Sequence, residues 1–112
     1  MIRYIDKLKE SNVAETILQQ LGGNKFRAMV GPKYLGKGKD EKGNEYLSFR
    51  LPKSYNRINY VKVTYNRGKD TYDMEFGLVK KYDYKLVWEI EGVYAEDLQR
   101  IFTEKTGLDT HL

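Results

Sequence analysis

Val13, Ile17, Leu18 and Leu21 recur at the three- and four-residue spacing that puts side chains on one helical face. Ser11 stands where an N-cap belongs, and Gly22-Gly23 supplies a left-handed stop. The spacing therefore predicts a helix over about residues 12–21. Ile2, Ile5 and Leu8, three apart, extend the helical reading by a turn or two toward the chain start. After Gly23 the period shortens to two: Phe26, Ala28 and Val30 alternate with Lys25, Arg27 and Met29. That alternation predicts a strand closed by Gly31-Pro32. Residues 36–44, GKGKDEKGN, contain no apolar side chain and read as a flexible basic hairpin loop.

Alternation of period two then continues through four segments. Leu47, Phe49 and Leu51 face one way, and Tyr46, Ser48 and Arg50 the other. Ile58, Val61, Val63 and Tyr65 oppose Tyr60, Lys62 and Thr64. Tyr72, Met74, Phe76 and Leu78 oppose Asp73 and Glu75. Leu86, Trp88 and Ile90 oppose Lys85, Val87, Glu89 and Glu91, so Trp88 is expected in the core. Short turns at NRGKD and KYDY separate the last of these segments. Leu98, Ile101 and Phe102 return to a helical period, with Glu96 and Asp97 in the first turn, Lys105 in the last and Gly107 as the stop. The predicted order is α-β-β-β-β-β-α. Consecutive strands on short turns imply an antiparallel meander with one solvated face. The expected class is α+β: a two-layer domain in which an antiparallel sheet of about five strands carries the N-terminal and C-terminal helices on one face.

A length of 112 residues fits a single domain over 1–112. No apolar run approaches the roughly 18 residues a membrane span needs, and MIRYIDKLKE does not read as a signal peptide. The absence of cysteine excludes disulfides, thiolate metal sites and a cysteine nucleophile. The one histidine, His111, leaves no imidazole pair for a metal or for acid–base catalysis.

Charge is unevenly spread. Residues 25–69 hold twelve basic groups against Asp40, Glu41 and Glu45, a net of +9, whereas residues 70–112 carry −5. A basic half attracts polyanions. Five of the ten tyrosines, Tyr34, Tyr46, Tyr55, Tyr60 and Tyr65, lie in that basic segment. Bases stack on exposed rings while lysine and arginine hold phosphates, a combination that suits single-stranded nucleic acid. Tyrosine also serves protein interfaces and strands, and that alternative stays open. The candidate binding residues are Lys33, Lys37, Lys39, Lys42, Arg50, Lys53, Arg57, Tyr60 and Lys62.

No catalytic residue, metal ligand set or cofactor motif is expected. GKGKDEKG lacks the spacing of a phosphate-binding loop and sits between strands. Asp73, Glu75, Glu89 and Glu91 can be read as a metal-binding or acid–base group, but they alternate with core residues on the predicted wet face, where pairing with Lys62 or Lys85 is the stronger reading. A small metal-dependent enzyme using Asp73, Glu75 and Glu89 therefore ranks lowest.

The stretches TILQQLGG (16–23), F-x-x-M-x-G (Phe26 to Gly31), EYLSFRLP (45–52), INYVKV (58–63), T-Y-D (71–73) and V-Y-A-x-x-L-x-x-I-F-x-x-x-T-G-L (93–108) follow one another in order. In these the chain resembles a group of small, mostly uncharacterised bacteriophage and mobile-element proteins, from which its lysine-rich residues 36–44 set it apart. The resemblance implies a phage-type accessory protein in a bacterial cytoplasm, binding a host machine and extending to inhibition of host defence of the anti-CRISPR kind. Joined to the basic tyrosine-rich segment, it gives the expected function: a non-enzymatic protein, a monomer or small homo-oligomer, that binds RNA, single-stranded DNA or a host nucleoprotein and no membrane. A purely protein-directed inhibitor or assembly factor is the alternative.

Overall fold

The computed structural model describes residues 13–110. Helices α1 (Val13–Leu21) and α2 (Gly23–Val30) lead into β1 (Lys33–Lys39), β2 (Glu45–Tyr55), β3 (Ile58–Asn66), β4 (Thr71–Lys80) and β5 (Asp83–Val93). A 3₁₀ turn at Ala95–Asp97 precedes α3 (Leu98–Thr106). The five strands form one antiparallel sheet in the order β1-β2-β3-β4-β5. The chain is thus α+β, with an antiparallel sheet between N-terminal and C-terminal helices. The helical turns expected over Ile2–Leu8, and the Ser11 cap, lie outside the described residues.

The strand expected over residues 25–30 is a helix. Phe26 and Val30 are four residues apart, and both are buried, while Ala28 and Met29 between them are exposed. Alternation and helical spacing share those two positions, so so short a window cannot separate the periods. Gly22 and Gly23, with φ of 131° and 61°, form a hinge between two helices and not only a stop. A Cβ on Gly22 would lie 2.9 Å from the Thr110 carbonyl oxygen, so the hinge is also a point of close packing. Gly31, at φ 65°, returns its N–H to the Arg27 carbonyl at 3.0 Å, and Pro32 follows, which together are a helix C-terminus.

Four of the nine expected loop residues, 36–39, are strand. Lys33 pairs with Arg50, Gly36 with Ser48, Lys37 with Leu47, Gly38 with Tyr46 and Lys39 with Glu45. The connection shrinks to Asp40–Asn44, where the Asp40 carboxylate accepts the N–H groups of Lys42 (2.9 Å) and Asn44 (2.8 Å). An edge strand with no buried side chain carries no apolar alternation, which hid β1 in the sequence.

The core joins the inward residues of β2, β3 and β4 to the helices. Leu47, Phe49, Leu51, Ile58, Val61, Val63, Tyr72, Met74 and Phe76 are buried, as expected, against Ile17, Leu18, Leu21, Phe26, Val30, Leu98 and Phe102. Phe26 meets both Phe49 and Phe102 edge to face at 5.4 Å. These rings tie α2 and α3 to β2.

Trp88 departs from expectation: it is 48% exposed. It lies opposite the buried Phe76, so its side of the sheet was read correctly. Helix α1 packs chiefly on β2, however, and β5 lies three strands away at the sheet edge. The Lys105 ammonium of α3 sits 4.0 Å from the centre of the Trp88 ring and covers part of it.

Replacing Phe26 by alanine should cost about 3–5 kcal/mol, and Trp88 by alanine about 1 kcal/mol. Urea titrations of both variants measure the contrast, and iodide should quench the single tryptophan in the folded protein. Equal losses would mean that Trp88 carries core packing after all. A second test concerns the β2–β3 hairpin, where Asn56 and Arg57 both hold positive φ, 53° and 65°. Two-residue turns of this kind favour glycine at the second position. Arg57→Gly should raise stability by about 0.5–1 kcal/mol, read as a higher denaturation midpoint.

Candidate functional site

Strand register brings four of the nine candidate residues onto the partly exposed side of β1, β2 and β3. Lys33 faces Arg50 across β1 and β2, and Arg50 faces Tyr60 across β2 and β3. One row along, Ser48 faces Lys62, and beside them Tyr46 faces Thr64. The Arg50 Nε is shielded from solvent and has no hydrogen-bond partner among the described residues. A desolvated guanidinium N–H without an acceptor is costly.

Two tyrosines lie over glycines of the neighbouring strand. A Cβ on Gly38 would sit 2.6 Å from the Tyr46 hydroxyl, and one on Gly77 would run into the Tyr84 ring. Glycine within a strand is what permits such close approach. The Lys62 ammonium stands 4.4 Å from the centre of the Tyr46 ring, a cation–π contact. Tyr60 and Tyr84 meet edge to face at 5.6 Å. Tyr84 reaches this side because of a bulge in β5: Phe76 pairs with Trp88, but Gly77 pairs with Leu86. The extra residue reverses the alternation beyond it. Period-two alternation puts Leu86 with Trp88 and leaves Tyr84 in the expected KYDY turn, so neither is expected on this side.

The adjoining strands carry the opposite charge. Glu75 faces Lys62 on β3 and Glu89 on β5, and Asp73 faces Thr64. Tyr84 donates its hydroxyl proton to Glu75 Oε2 at 2.5 Å, and Asp73 Oδ1 accepts the Gly92 N–H at 3.1 Å. Asp73, Glu75, Glu89 and Glu91 line a concavity of about 680 Å³ together with Lys39, Lys42, Lys62 and Lys69 and the turn acids Asp40 and Glu41. Glu75 stands across from Lys62, but the Lys62 ammonium lies over the Tyr46 ring and Glu75 Oε2 accepts the Tyr84 hydroxyl, so the expected pairing of these two charges is not formed. No group of three or more carboxylate, histidine or cysteine side chains is arranged to hold a metal among the described residues.

The remaining candidates lie elsewhere. Lys37 faces the same way as Leu47 and borders a groove with Ala14, Leu18 and Leu35, on the other side of the sheet from Lys33. Lys39 and Lys42 reach the rim of the concavity from the β1–β2 turn. Lys53, near the far end of β2, lies 5.6 Å from the Tyr55 ring centre. Arg57 is at the β2–β3 hairpin tip, whose Asn56 amide donates to the Lys105 carbonyl at 3.0 Å. Arg67, at the opposite end, pairs with Glu45 at 3.3 Å. The +9 segment therefore divides between both sides and both ends of the sheet. Gly38 and Gly77 were the available sequence signal for the covering tyrosines.

No family model, curated protein or solved structure matches the chain. Among the described residues no helix is long and apolar enough to cross a membrane.

Burial, joined by the bond to Glu75, pushes the Tyr84 hydroxyl well above the ordinary tyrosine value of 10.0. Burial likewise raises Tyr60, against a lowering bond from Ser48, and Glu75 adds to the rise. A folded-state value above the unfolded one contributes stability that is fully present below about pH 10 and is lost as pH climbs through the folded value. Thermal midpoints of the wild type should therefore fall above about pH 10. Tyr84→Phe should start lower, having lost the bond to Glu75, and decline less steeply. Parallel curves for the two proteins would show that Tyr84 titrates alike folded and unfolded.

Proposed function

We propose that this chain is a non-enzymatic binding protein whose uncovered sheet face engages RNA, single-stranded DNA or a nucleic-acid-loaded host complex. On this reading the helices form a second layer over the opposite face, and the domain is two-layered. The observation that carries the proposal is the juxtaposition of Lys33, Arg50 and Lys62 with the rings of Tyr46, Tyr60 and Tyr84. The cations would take backbone phosphates and the rings would meet bases. The resemblance to phage and mobile-element proteins supports a setting in a bacterial cytoplasm and a host-directed role, including inhibition of host defence.

A protein-directed role is the second reading, and one observation favours it. Leu86 and Trp88, on opposite sides of β5 because of its bulge, leave two large apolar side chains 47% and 48% exposed at the sheet edge. Such residues anchor protein interfaces.

Fluorescence anisotropy with labelled oligouridylate and oligothymidylate over a range of salt distinguishes the two. Binding should weaken with salt, and Arg50→Gln or Lys62→Gln should each flatten the logarithmic slope by about 0.7. Tyr60→Ala should weaken binding by about 1–3 kcal/mol at every salt concentration. Lys25→Gln, on the exposed side of α2, should change neither. Absence of salt-sensitive binding would transfer the function to the Leu86–Trp88 edge.

A further inference from the structure

The same face carries two fields of opposite sign, and their spacing has a consequence for which nucleic acid can lie on it. Lys33, Arg50 and Lys62 occupy β1 to β3, while Asp73 and Glu75 are on β4 and Glu89 and Glu91 on β5. Three cations thus stand beside four carboxylates. Neighbouring strands are about 4.8 Å apart, so the cationic zone is only about 10 Å wide. A single strand has one backbone and fits along it. A B-form duplex presents a second backbone across a minor groove of about 6 Å or a major groove of about 12 Å. With one backbone on Arg50 and Lys62, a second backbone lying toward β4 and β5 meets carboxylates.

We propose that this surface selects single-stranded over double-stranded nucleic acid, and that the Asp73, Glu75, Glu89 and Glu91 strip is the excluding element. The inference rests on the nucleic-acid reading above and assigns its substrate class. The carboxylates act by repulsion: phosphates brought near them lose the favourable field of the basic strands. Neutral amides can replace the acids while keeping oxygens that accept the Gly92 N–H and the Tyr84 hydroxyl, so Asp73→Asn and Glu75→Gln preserve both hydrogen bonds.

The test compares labelled oligothymidylate with the blunt duplex it forms with oligoadenylate, at low salt, on the wild type and on the fourfold variant D73N/E75Q/E89Q/E91Q. A thermal melt of each protein confirms the fold. The wild type should bind the single strand at least about tenfold more tightly than the duplex. The variant should gain about tenfold more for duplex than for single strand. Equal wild-type affinity for the two forms overturns the selection while leaving nucleic-acid binding intact. Equal gains in the variant overturn the role of the carboxylate strip. Failure of the wild type to bind either form removes the nucleic-acid reading and this inference with it.

Discussion

The contact among Phe26, Phe49 and Phe102 decides where everything else can be. Phe26 touches both partners edge to face, and all three rings are almost fully buried. Through them α2, β2 and α3 share one apolar centre, although they come from the start, middle and end of the described chain. A short helix such as α2, eight residues long, has little stability alone. Its place is fixed by that packing and by the Gly22-Gly23 hinge that aims it. With α1 packed chiefly on β2 and Phe26 and Phe102 gathered at Phe49, the edge strands β1 and β5 are less buried than β2 to β4, whose alternate side chains stay partly exposed.

What occupies the wetter side follows from sterics as much as from charge. Gly38 and Gly77 open room for Tyr46 and Tyr84 to cross onto the neighbouring strand. The rings in turn shield backbone that glycine would leave bare. Lys62 over Tyr46 and Tyr60 against Tyr84 then organise the centre of the sheet into a set of paired side chains. The Asn59 amide makes a comparable local repair. It donates to the Val79 carbonyl at 2.9 Å and accepts the Val79 N–H at 2.7 Å, supplying hydrogen bonds for β4 where the ladder loosens toward the hairpin end.

Much of this was legible in the residues. The four alternating segments became β2 to β5, and Leu98 and Phe102 became the buried side of α3, because strong periodicity over eight or more residues leaves little ambiguity. The errors have three physical sources. Phe26 and Val30 satisfy both periods, so α2 read as a strand. Glycine and lysine in β1 reflect an edge strand lying under Tyr46, which composition cannot tell from a loop. Trp88 obeys the alternation but is covered only in part, with Lys105 of α3 over its ring, and alternation reports the side of a sheet, not how much covers it. The candidate site suffered differently. Proximity in sequence grouped nine residues that the sheet distributes over two sides and two ends, while the β5 bulge brought in Tyr84 from a segment that carried no basic signal.

The meander explains why the charge asymmetry nevertheless survives folding. In a sheet whose strands lie side by side in chain order, position along the sequence becomes position across the sheet. Six of the twelve basic groups in residues 25–69 (Lys33, Lys37, Lys39, Arg50, Lys53 and Lys62) lie on β1–β3 against Glu45, whereas β4 and β5 carry Asp73, Glu75, Asp83, Glu89 and Glu91 against Lys80 and Lys85. A topology with crossovers would have interleaved the two and cancelled their fields. Here they meet at one boundary, between Lys62 on β3 and Glu75 on β4. At physiological ionic strength charges are screened over about 8 Å, less than two strand spacings. A ligand over β2 is thus governed by the basic strands and one over β5 by the acidic strands. The width of a bound polyanion, more than the net charge of the whole protein, determines which field it experiences.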